Sequence, residues 1–302
     1  MKKKYPRNML GYGSNSPEVK WPNNSRIAVQ FVLNYEEGAE SSILHGDKFS
    51  EIFLSEIIGA KAIKGRHINM ESLYEYGSRV GFWRIHKLFK EYNLPLTIFG
   101  VGMALERNLE ICNEMKKSNY EIASHGWRWI DYQNVSKSIE KKHMQKAISS
   151  IKKIFGKKPV GWYTGRCSVN TIDLVIENGN FLYCSDTYSD DLPYWEFKKG
   201  KKQLMIPYTL DNNDMRFLTN QGFNSGDQFF KYLKDSFDTL YEEGKDKPKM
   251  MSIGLHCRII GKPGRIQSLR KFLDYITSLD KVWICKREEI ADYWIKNHNT
   301  KN

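Results

Sequence analysis

The sequence Phe31-Val-Leu-Asn-Tyr-Glu-Glu-Gly38 joins an apolar run directly to two carboxylates and a glycine. The apolar residues are typical of a buried β-strand, and Gly38 allows the backbone to turn sharply after it. Glu36 and Glu37 are neighbours, and the repulsion between their charges raises the proton affinity of one of them. Such a pair suits a general base near neutral pH, or one base beside one metal ligand. A solvated acidic turn would show the same pattern.

The composition is that of an ordinary globular protein, with 40% hydrophobic and 27% charged residues in a chain of 302. The net charge of +12 is spread along the chain and is not concentrated in one arm. A diffuse positive charge favours a solvated surface and anionic small ligands over a nucleic-acid site. The amino terminus lacks an apolar signal segment, and no apolar stretch reaches the ~18 residues of a membrane span. The five cysteines are widely spaced and form no CxxC motif, which predicts reduced thiols and a cytoplasmic protein.

Strand-like runs alternate with helical patterns along the chain. The predicted strands are Ile27–Asn34, Leu96–Val101, Tyr120–Ser124, Val160–Thr164, Phe181–Asp186, Leu204–Leu210, Met250–His256 and Val282–Cys285. The predicted helices include Phe82–Tyr92, Val135–Phe155, Asn170–Asn178 and one that begins with the capping box Ser225-x-x-Gln228 and ends at Gly244. Such βα units imply a parallel sheet, open or closed into a barrel. No Pro-, Gly- or Ser-rich linker is found, so residues 1–302 are expected to form one domain, with a long insertion at about 38–81.

Polar residues occur where most of these strands end. In a βα barrel the carboxyl ends of the strands meet on one face, so these residues are expected to lie together and to form an active site. The candidate residues are Glu36, Glu37, His125, Trp127, Trp129, Arg166, Asp186, His256 and Arg258. A single histidine in this position would more often be a core residue, but two histidines with a carboxylate pair and arginine favour a site. The remaining histidines have no such position and are expected to be structural or at the surface: His45, His67, His86, His143 and His298.

Together these motifs resemble the polysaccharide deacetylase (NodB-like) superfamily. At the place of its T-F-D-D-G motif this chain has Asn34-Tyr-Glu-Glu-Gly38, and at the place of H-[ST]-x-x-H it has His125-Gly-Trp-Arg-Trp129. Thr164-Gly-Arg166 and Leu255-His256 correspond to the later R-x-P and L-x-H motifs. The resemblance implies an α/β fold, a distorted seven-stranded (β/α) barrel of the NodB type.

The chain resembles more closely the metal-independent allantoinases of that superfamily, from about residue 5 to residue 298. The strings that carry this resemblance are NYEEG, ILHGD, MESLYEYGSR, SHGWRWIDYQ, GWYTGR, DDLPYW, PYTLD, NDMRF, QGFNSGDQFF and GLHCR. The sequence departs from these relatives at Cys184, where an aspartate is expected. The resemblance implies hydrolysis of allantoin in purine catabolism, a small-molecule substrate and a homo-oligomer such as a tetramer. The diffuse charge and the lack of a long apolar stretch predict no nucleic acid or membrane partner.

The second motif argues against a catalytic metal. A divalent-metal deacetylase needs an aspartate and two histidines, but here Glu37 replaces the aspartate and Trp129 replaces the second histidine. The indole N–H is a donor and offers no lone pair to a metal. Glu37 and His125 alone would be too few ligands, since catalytic zinc normally has three from the protein. We therefore predict no cofactor, with a zinc site completed by a remote carboxylate as the less favoured alternative.

The predicted reaction is hydrolysis of a cyclic amide C–N bond that opens the hydantoin ring of allantoin to give allantoate. Glu36 or Glu37 would deprotonate water, and His125 and His256 would stabilise the oxyanion or protonate the leaving nitrogen. The residues expected to bind the substrate are Trp127, Trp129, Arg166, Arg258 and Asp186. The alternatives are an N-deacetylase acting on a polysaccharide or amino sugar, a hydrolase of another cyclic imide or amide, and a catalytically inactive barrel that binds a ureide. For both tryptophans, core packing is an equally good interpretation.

Overall fold

The computed structural model describes residues 5–198 and 200–299, which contain nine strands and nine α-helices. The strands are β1 (Ile27–Tyr35), β2 (Thr97–Gly100), β3 (Glu121–Ser124), β4 (Gly161–Trp162), β5 (Tyr183–Cys184), β6 (Tyr194–Lys198), β7 (Lys201–Met205), β8 (Lys249–His256) and β9 (Val282–Ile284). The α-helices are α1 (Ile68–Tyr76), α2 (Phe82–Glu91), α3 (Gly102–Arg107), α4 (Leu109–Lys117), α5 (Lys137–Phe155), α6 (Thr171–Asn178), α7 (Gly226–Glu243), α8 (Pro263–Thr277) and α9 (Arg287–Asn297).

The strands form one curled sheet in the order β6-β7-β5-β4-β3-β2-β1-β8, with β9 beside the start of β1. Every pairing is parallel except that of β6 with β7. All nine residues of β1 are buried, as the apolar run predicted. In the register of the sheet, Asn34 pairs with both Phe99 and His256, and Gly100 pairs with Ser124. The ends of β1, β2, β3 and β8 therefore lie at the same edge, where the predicted site residues begin.

The barrel closes between β8 and the segment after β7, and a buried arginine holds this closure. Arg287 of α9 is completely buried and donates hydrogen bonds to the side chains of Gln30 on β1 and Ser252 on β8. It also donates to the carbonyls of Ile206 and Pro207, which follow β7. Because one guanidinium has five donors in a rigid plane, it can satisfy backbone carbonyls from one side of the gap and side chains from the other.

The α/β class and the NodB-type barrel are confirmed, with a difference in the strands. The sheet of the described residues has nine strands where the family resemblance implied seven, because β6, which pairs with β7, and the short β9 are added. The strand predicted at Leu204–Leu210 is instead β7, which ends at Met205. The predicted capping box is also wrong. The side chain of Ser225 makes no capping hydrogen bond, and Gln228 accepts from the backbone N–H of Asn224 at 2.7 Å.

The insertion at 38–81 contains a short 3-10 helix at Ile43–His45, then α1, and a π-helical turn at Gly77–Gly81 that leads into α2. Met70 and Tyr74 of α1 are buried in the main hydrophobic core. Phe53 stacks on Trp129 with 5.9 Å between ring centroids. The insertion therefore packs over the edge at which the strands end and forms one wall of the site.

Two further observations concern the whole described chain. All five cysteines are unpaired, as predicted. No helix within residues 5–198 and 200–299 combines the length and the apolar character that crossing a membrane requires.

Candidate active site

Glu36 is the centre of a buried polar cluster at the end of β1. Its side chain is about 1% exposed, and its Oε2 accepts a hydrogen bond from Nη1 of Arg258 at 2.7 Å. Its Oε1 lies 3.3 Å from Nε2 of His125 and 3.5 Å from Nε2 of His256. The structure thus brings together four residues that the sequence places at the ends of three different strands.

The surroundings of Glu36 keep it ionised. Burial by itself would raise its pKa, but Arg258, His256 and His125 together hold the pKa of this carboxyl well below its ordinary value. Arg258 is also buried, which would lower its pKa, yet Tyr74, Glu36 and Glu37 raise it. The guanidinium and the Glu36 carboxylate therefore form a buried ion pair, and such a pair depends on both partners being present.

Glu37 has the opposite character. Its Oε2 accepts a hydrogen bond from the backbone N–H of Glu36 at 3.0 Å, while its Oε1 is buried with no hydrogen-bond partner among the described residues. Burial raises the pKa of Glu37 to about 7. The charge of Glu36 adds to this, and that of Arg258, 3.7 Å away, opposes it. A raised proton affinity was predicted from repulsion within the pair, but the larger cause is the removal of water.

His256 lies between two carboxylates. Its Nδ1 is 2.6 Å from Oδ1 of Asp214, and its backbone N–H donates to Oδ2 of the same residue at 2.7 Å. Burial would lower the pKa of His256, but Asp214 and Glu36 outweigh this and raise it to about 9. The ring is therefore an imidazolium at neutral pH, with Nδ1–H directed to Asp214 and Nε2–H towards Glu36.

Asp214 is a residue of the site that was not predicted from the sequence. It is completely buried in a 3-10 helix at Asp214–Leu218, and it also accepts from the backbone N–H of Ile260 at 3.0 Å. The string Asn213-Asp-Met-Arg-Phe217 was among those that carried the family resemblance, and this was the available signal. It does not follow a predicted strand directly, so the rule based on strand ends could not find it.

His125 follows β3 and is buried. Its ring contacts that of Tyr163 with 4.9 Å between centroids, and its Nδ1 has no hydrogen-bond partner among the described residues. Gly126, at a φ of +75°, turns the chain directly after it. The histidine is thereby held with Nε2 towards Glu36.

Trp129 packs among cations at the wall of the site. The guanidinium carbon of Arg258 lies 5.0 Å from the Trp129 ring and 4.3 Å from that of Tyr74. The guanidinium carbon of Arg166 lies 4.2 Å from the Trp129 ring, and its Nη2 donates to the carbonyl of Trp129 at 2.6 Å. These contacts orient the two arginines, because aromatic faces attract guanidinium groups.

Trp127 and Asp186 were predicted to bind the substrate, but in the structure their contacts are with other parts of the protein. Trp127 packs in a separate hydrophobic cluster with Met144 and Trp162, and the ammonium of Lys146 lies 4.1 Å from its ring. Trp127 therefore packs in the core, which was one of its two predicted roles. Its position does not support the other role, stacking on the substrate. The Asp186 carboxylate accepts from the backbone N–H groups of Thr164 and Gly165 at 2.8 Å, so it shapes the loop that precedes Arg166.

A cleft of about 300 Å³ leads to Glu37. Its lining includes Glu37, Gly38, His45, Tyr74, Ser78 and Arg107. Glu37, with 3% of its surface exposed, is its most deeply buried acidic residue. His45 was expected to be structural or at the surface, but it forms part of this cleft.

The donor atoms do not fit a catalytic metal. Within residues 5–198 and 200–299, no group of three or more His, Cys, Asp or Glu side chains could hold a metal ion. The positive group beside both carboxylates is the guanidinium of Arg258, and Trp129 supplies a ring face where the superfamily motif has a second histidine.

The barrel and its carboxylate–histidine cluster define a protein of the NodB type, and comparison with known proteins gives the family. Residues 69–176 match the polysaccharide deacetylase family. A putative polysaccharide deacetylase of Schizosaccharomyces pombe is 44% identical over 301 residues, covering 93% of this chain and 94% of that protein. The protein therefore belongs to the polysaccharide deacetylase family.

Two crystal structures are similar to this chain over nearly its whole length. A probable polysaccharide deacetylase from Pseudomonas aeruginosa PAO1 has 57% identity and a TM-score of 0.97, covering 98% of this chain and 100% of that one. Puue allantoinase has 55% identity and a TM-score of 0.97, covering 99% of this chain and 100% of that one.

Proposed function

We propose that this protein is a hydrolase that opens the hydantoin ring of allantoin to give allantoate, and that it does so without a metal. The observation that carries the proposal is the pair of adjacent carboxylates in different ionisation states, Glu36 charged and Glu37 titrating at a pKa of about 7, beside the imidazolium of His256. The 55% identity to Puue allantoinase supports the choice of substrate. The cleft of about 300 Å³ suits a small molecule, since ligand sites begin at roughly this volume.

We assign the role of general base to Glu37. Its unpartnered Oε1 is free to accept a proton, and it is the member of the pair that lines the cleft. It takes a proton from water, and the resulting hydroxide attacks a ring carbonyl carbon. A base with a pKa near the working pH is effective, because it is largely deprotonated and still binds a proton well. Glu36 is a poorer base since its charge is already held by Arg258 and two histidines.

His256 is the group best suited to act as the acid. The attack places negative charge on the carbonyl oxygen, and the C–N bond then breaks with the electron pair on the ring nitrogen. The imidazolium of His256 gives that nitrogen a proton from Nε2, while Asp214 holds the ring through Nδ1. His125 directs Nε2 to the same region and, as the donor tautomer, stabilises the oxyanion.

The protonation states of these two groups set the pH dependence. The activity is expected to rise as Glu37 loses its proton near pH 7 and to fall as His256 loses its proton near pH 9. A bell-shaped profile of kcat/KM follows, because the two groups are needed in opposite protonation states.

The test is to offer chelator-treated protein allantoin, hydantoin, succinimide, dihydrouracil and an N-acetylglucosamine oligomer, and to record the acid released. Turnover of allantoin that survives chelation is the expected result. Activity that requires added zinc would overturn the metal-free mechanism, and acetate released from the sugar would change the substrate class. Separate Glu36→Gln and Glu37→Gln variants that both retain the full rate would refute the role of the carboxylates.

We also propose that the protein works in the cytoplasm as a homo-oligomer whose chain forms one domain. The five unpaired cysteines support a reducing compartment. The oligomeric state is proposed from the family resemblance, and light scattering of the purified protein would measure it.

A further inference from the structure

Arg107 occupies a position beside Glu37 and has no role in the proposed reaction steps. It is the last residue of α3, and its side chain lies across the backbone of Gly38. A Cβ atom added at Gly38 would be 2.7 Å from Cδ of Arg107, so the glycine makes room for the arginine. Since Gly38 follows Glu37 directly and all three line the same cleft, the guanidinium stands at the wall next to the proposed base.

The charge of Arg107 is oriented but not neutralised. Its Nη2 lies 2.9 Å from Nε2 of His45, and Nδ1 of His45 lies 2.9 Å from the carbonyl oxygen of Glu40. A carbonyl can only accept, so Nδ1 carries the hydrogen and Nε2 accepts from Arg107. Burial lowers the pKa of His45, which keeps the ring neutral.

The other arginines near the site are already engaged with acidic groups. Arg258 is paired with Glu36, and Arg66 with Glu71. By contrast, no carboxylate of residues 5–198 and 200–299 lies within ion-pair distance of Arg107. A guanidinium held by a neutral partner in a cleft keeps its capacity for a planar oxyanion.

The proposed reaction creates such an anion next to Glu37. Glu37 takes one proton from water, the hydroxide adds to the ring carbonyl carbon, and the C–N bond breaks as His256 protonates the nitrogen. The carboxylic acid that results gives its proton to solvent and becomes a carboxylate. This new negative charge forms close to the carboxylates of Glu36 and Glu37, so a further cation beside it would stabilise it. We propose that Arg107, oriented by His45, binds the carboxylate of the ring-opened product and the carbonyl oxygen from which it forms. This inference rests on the proposed function and adds a binding residue to it.

The test is to titrate allantoate into the wild-type protein and into Arg107→Gln by calorimetry, and to measure allantoin kinetics in both. Arg107→Gln is expected to weaken allantoate binding roughly 10- to 100-fold, the range for losing a hydrogen bond to a charged group. Added salt should weaken binding to the wild type more than to the variant. Arg107→Lys keeps the positive charge but not the planar guanidinium, so it should bind allantoate with intermediate affinity. That result would show that the weaker binding of Arg107→Gln is not caused by misfolding.

Arg270→Gln is the matched control. It removes the same charge from the exposed side of α8, where Arg270 pairs with Glu91, and it is expected to leave allantoate binding within about twofold. A wild type that turns over allantoin but binds allantoate no more tightly than Arg107→Gln overturns this inference and leaves the proposed function standing. A wild type that does not bind allantoate also overturns it. Absence of allantoin turnover overturns the proposed function, whatever the binding data show.

Discussion

Replacing Glu37 by glutamine is expected to stabilise the folded protein at about pH 8 while it abolishes the proposed catalysis. The pKa of Glu37 is raised from its ordinary value of 4.5 to about 7, chiefly by burial. Through the linkage between proton binding and folding, this difference corresponds to roughly 3 kcal/mol. The charged form of Glu37 therefore destabilises the folded protein, as is common for side chains that take part in catalysis.

The direction in which the stability changes with pH follows from the order in which the folded and the unfolded chain lose the proton of Glu37. Well below pH 4.5 Glu37 is protonated in both the folded and the unfolded chain, and it contributes no pH dependence. As the pH rises, the unfolded chain loses its proton first, so the free energy of unfolding falls until the folded-state pKa of about 7 is passed. Glutamine is neutral throughout and still offers an oxygen to the backbone N–H of Glu36. The gain in Glu37→Gln should therefore be small near pH 5 and approach about 3 kcal/mol near pH 8.

The measurement is urea unfolding of both proteins at about pH 5 and about pH 8, at one protein concentration, followed by tryptophan fluorescence. Glu106→Gln, on the exposed side of α3, makes the same chemical change in contact with water and serves as the control. A stability difference between Glu37→Gln and the wild type that is the same at both pH values would refute this reasoning. So would a variant that is the less stable protein at pH 8.

Three further predictions test other parts of the site. Asp214→Asn should lower the pKa of His256 and move the alkaline limb of the kcat/KM profile to lower pH; an unmoved limb would contradict the role of Asp214. Gly38→Ala should destabilise the fold by about 1–2 kcal/mol because φ is positive there, and it should raise KM because the new methyl group displaces Arg107. Gly46→Ala is the control, since Gly46 has a similar φ but open space around it. It should destabilise the fold without changing KM. Exhaustive treatment with a chelator should leave kcat for allantoin unchanged. A fall in kcat that added zinc restores would show that the enzyme needs a metal.

Much of the fold could be predicted because hydrophobic periodicity is a local property. The run before Glu36 predicted β1, and the apolar stripe of α5 predicted that helix to within two residues of its start. The strand β6 was missed for a physical reason. The residues of Tyr194–Lys198 are half-buried or exposed on both faces, so no alternation of polar and apolar residues marks the strand.

The candidate site was predicted in part. Glu36, His125 and His256 meet because parallel strands end at one edge, which the pattern of strands alone implies. Trp127 and Trp129 could not be told apart by sequence, since they are two residues apart in one loop. After the turn at Gly126, Trp127 packs against α5, whereas Trp129 contacts the arginines of the site.

The sequence by itself determined which chemical groups are present, where β1, β3 and β8 end to within one residue, and that an indole stands in place of a second metal-binding histidine. Only the tertiary structure decided how those groups are charged. Glu36 and Glu37 are chemically identical neighbours, yet one faces Arg258 and two histidines while the other has an unpaired oxygen in a dry environment. The free energy of a charge depends on every atom and water molecule around it, and in this protein those surroundings come from residues more than two hundred positions apart, such as Glu36 and Arg258.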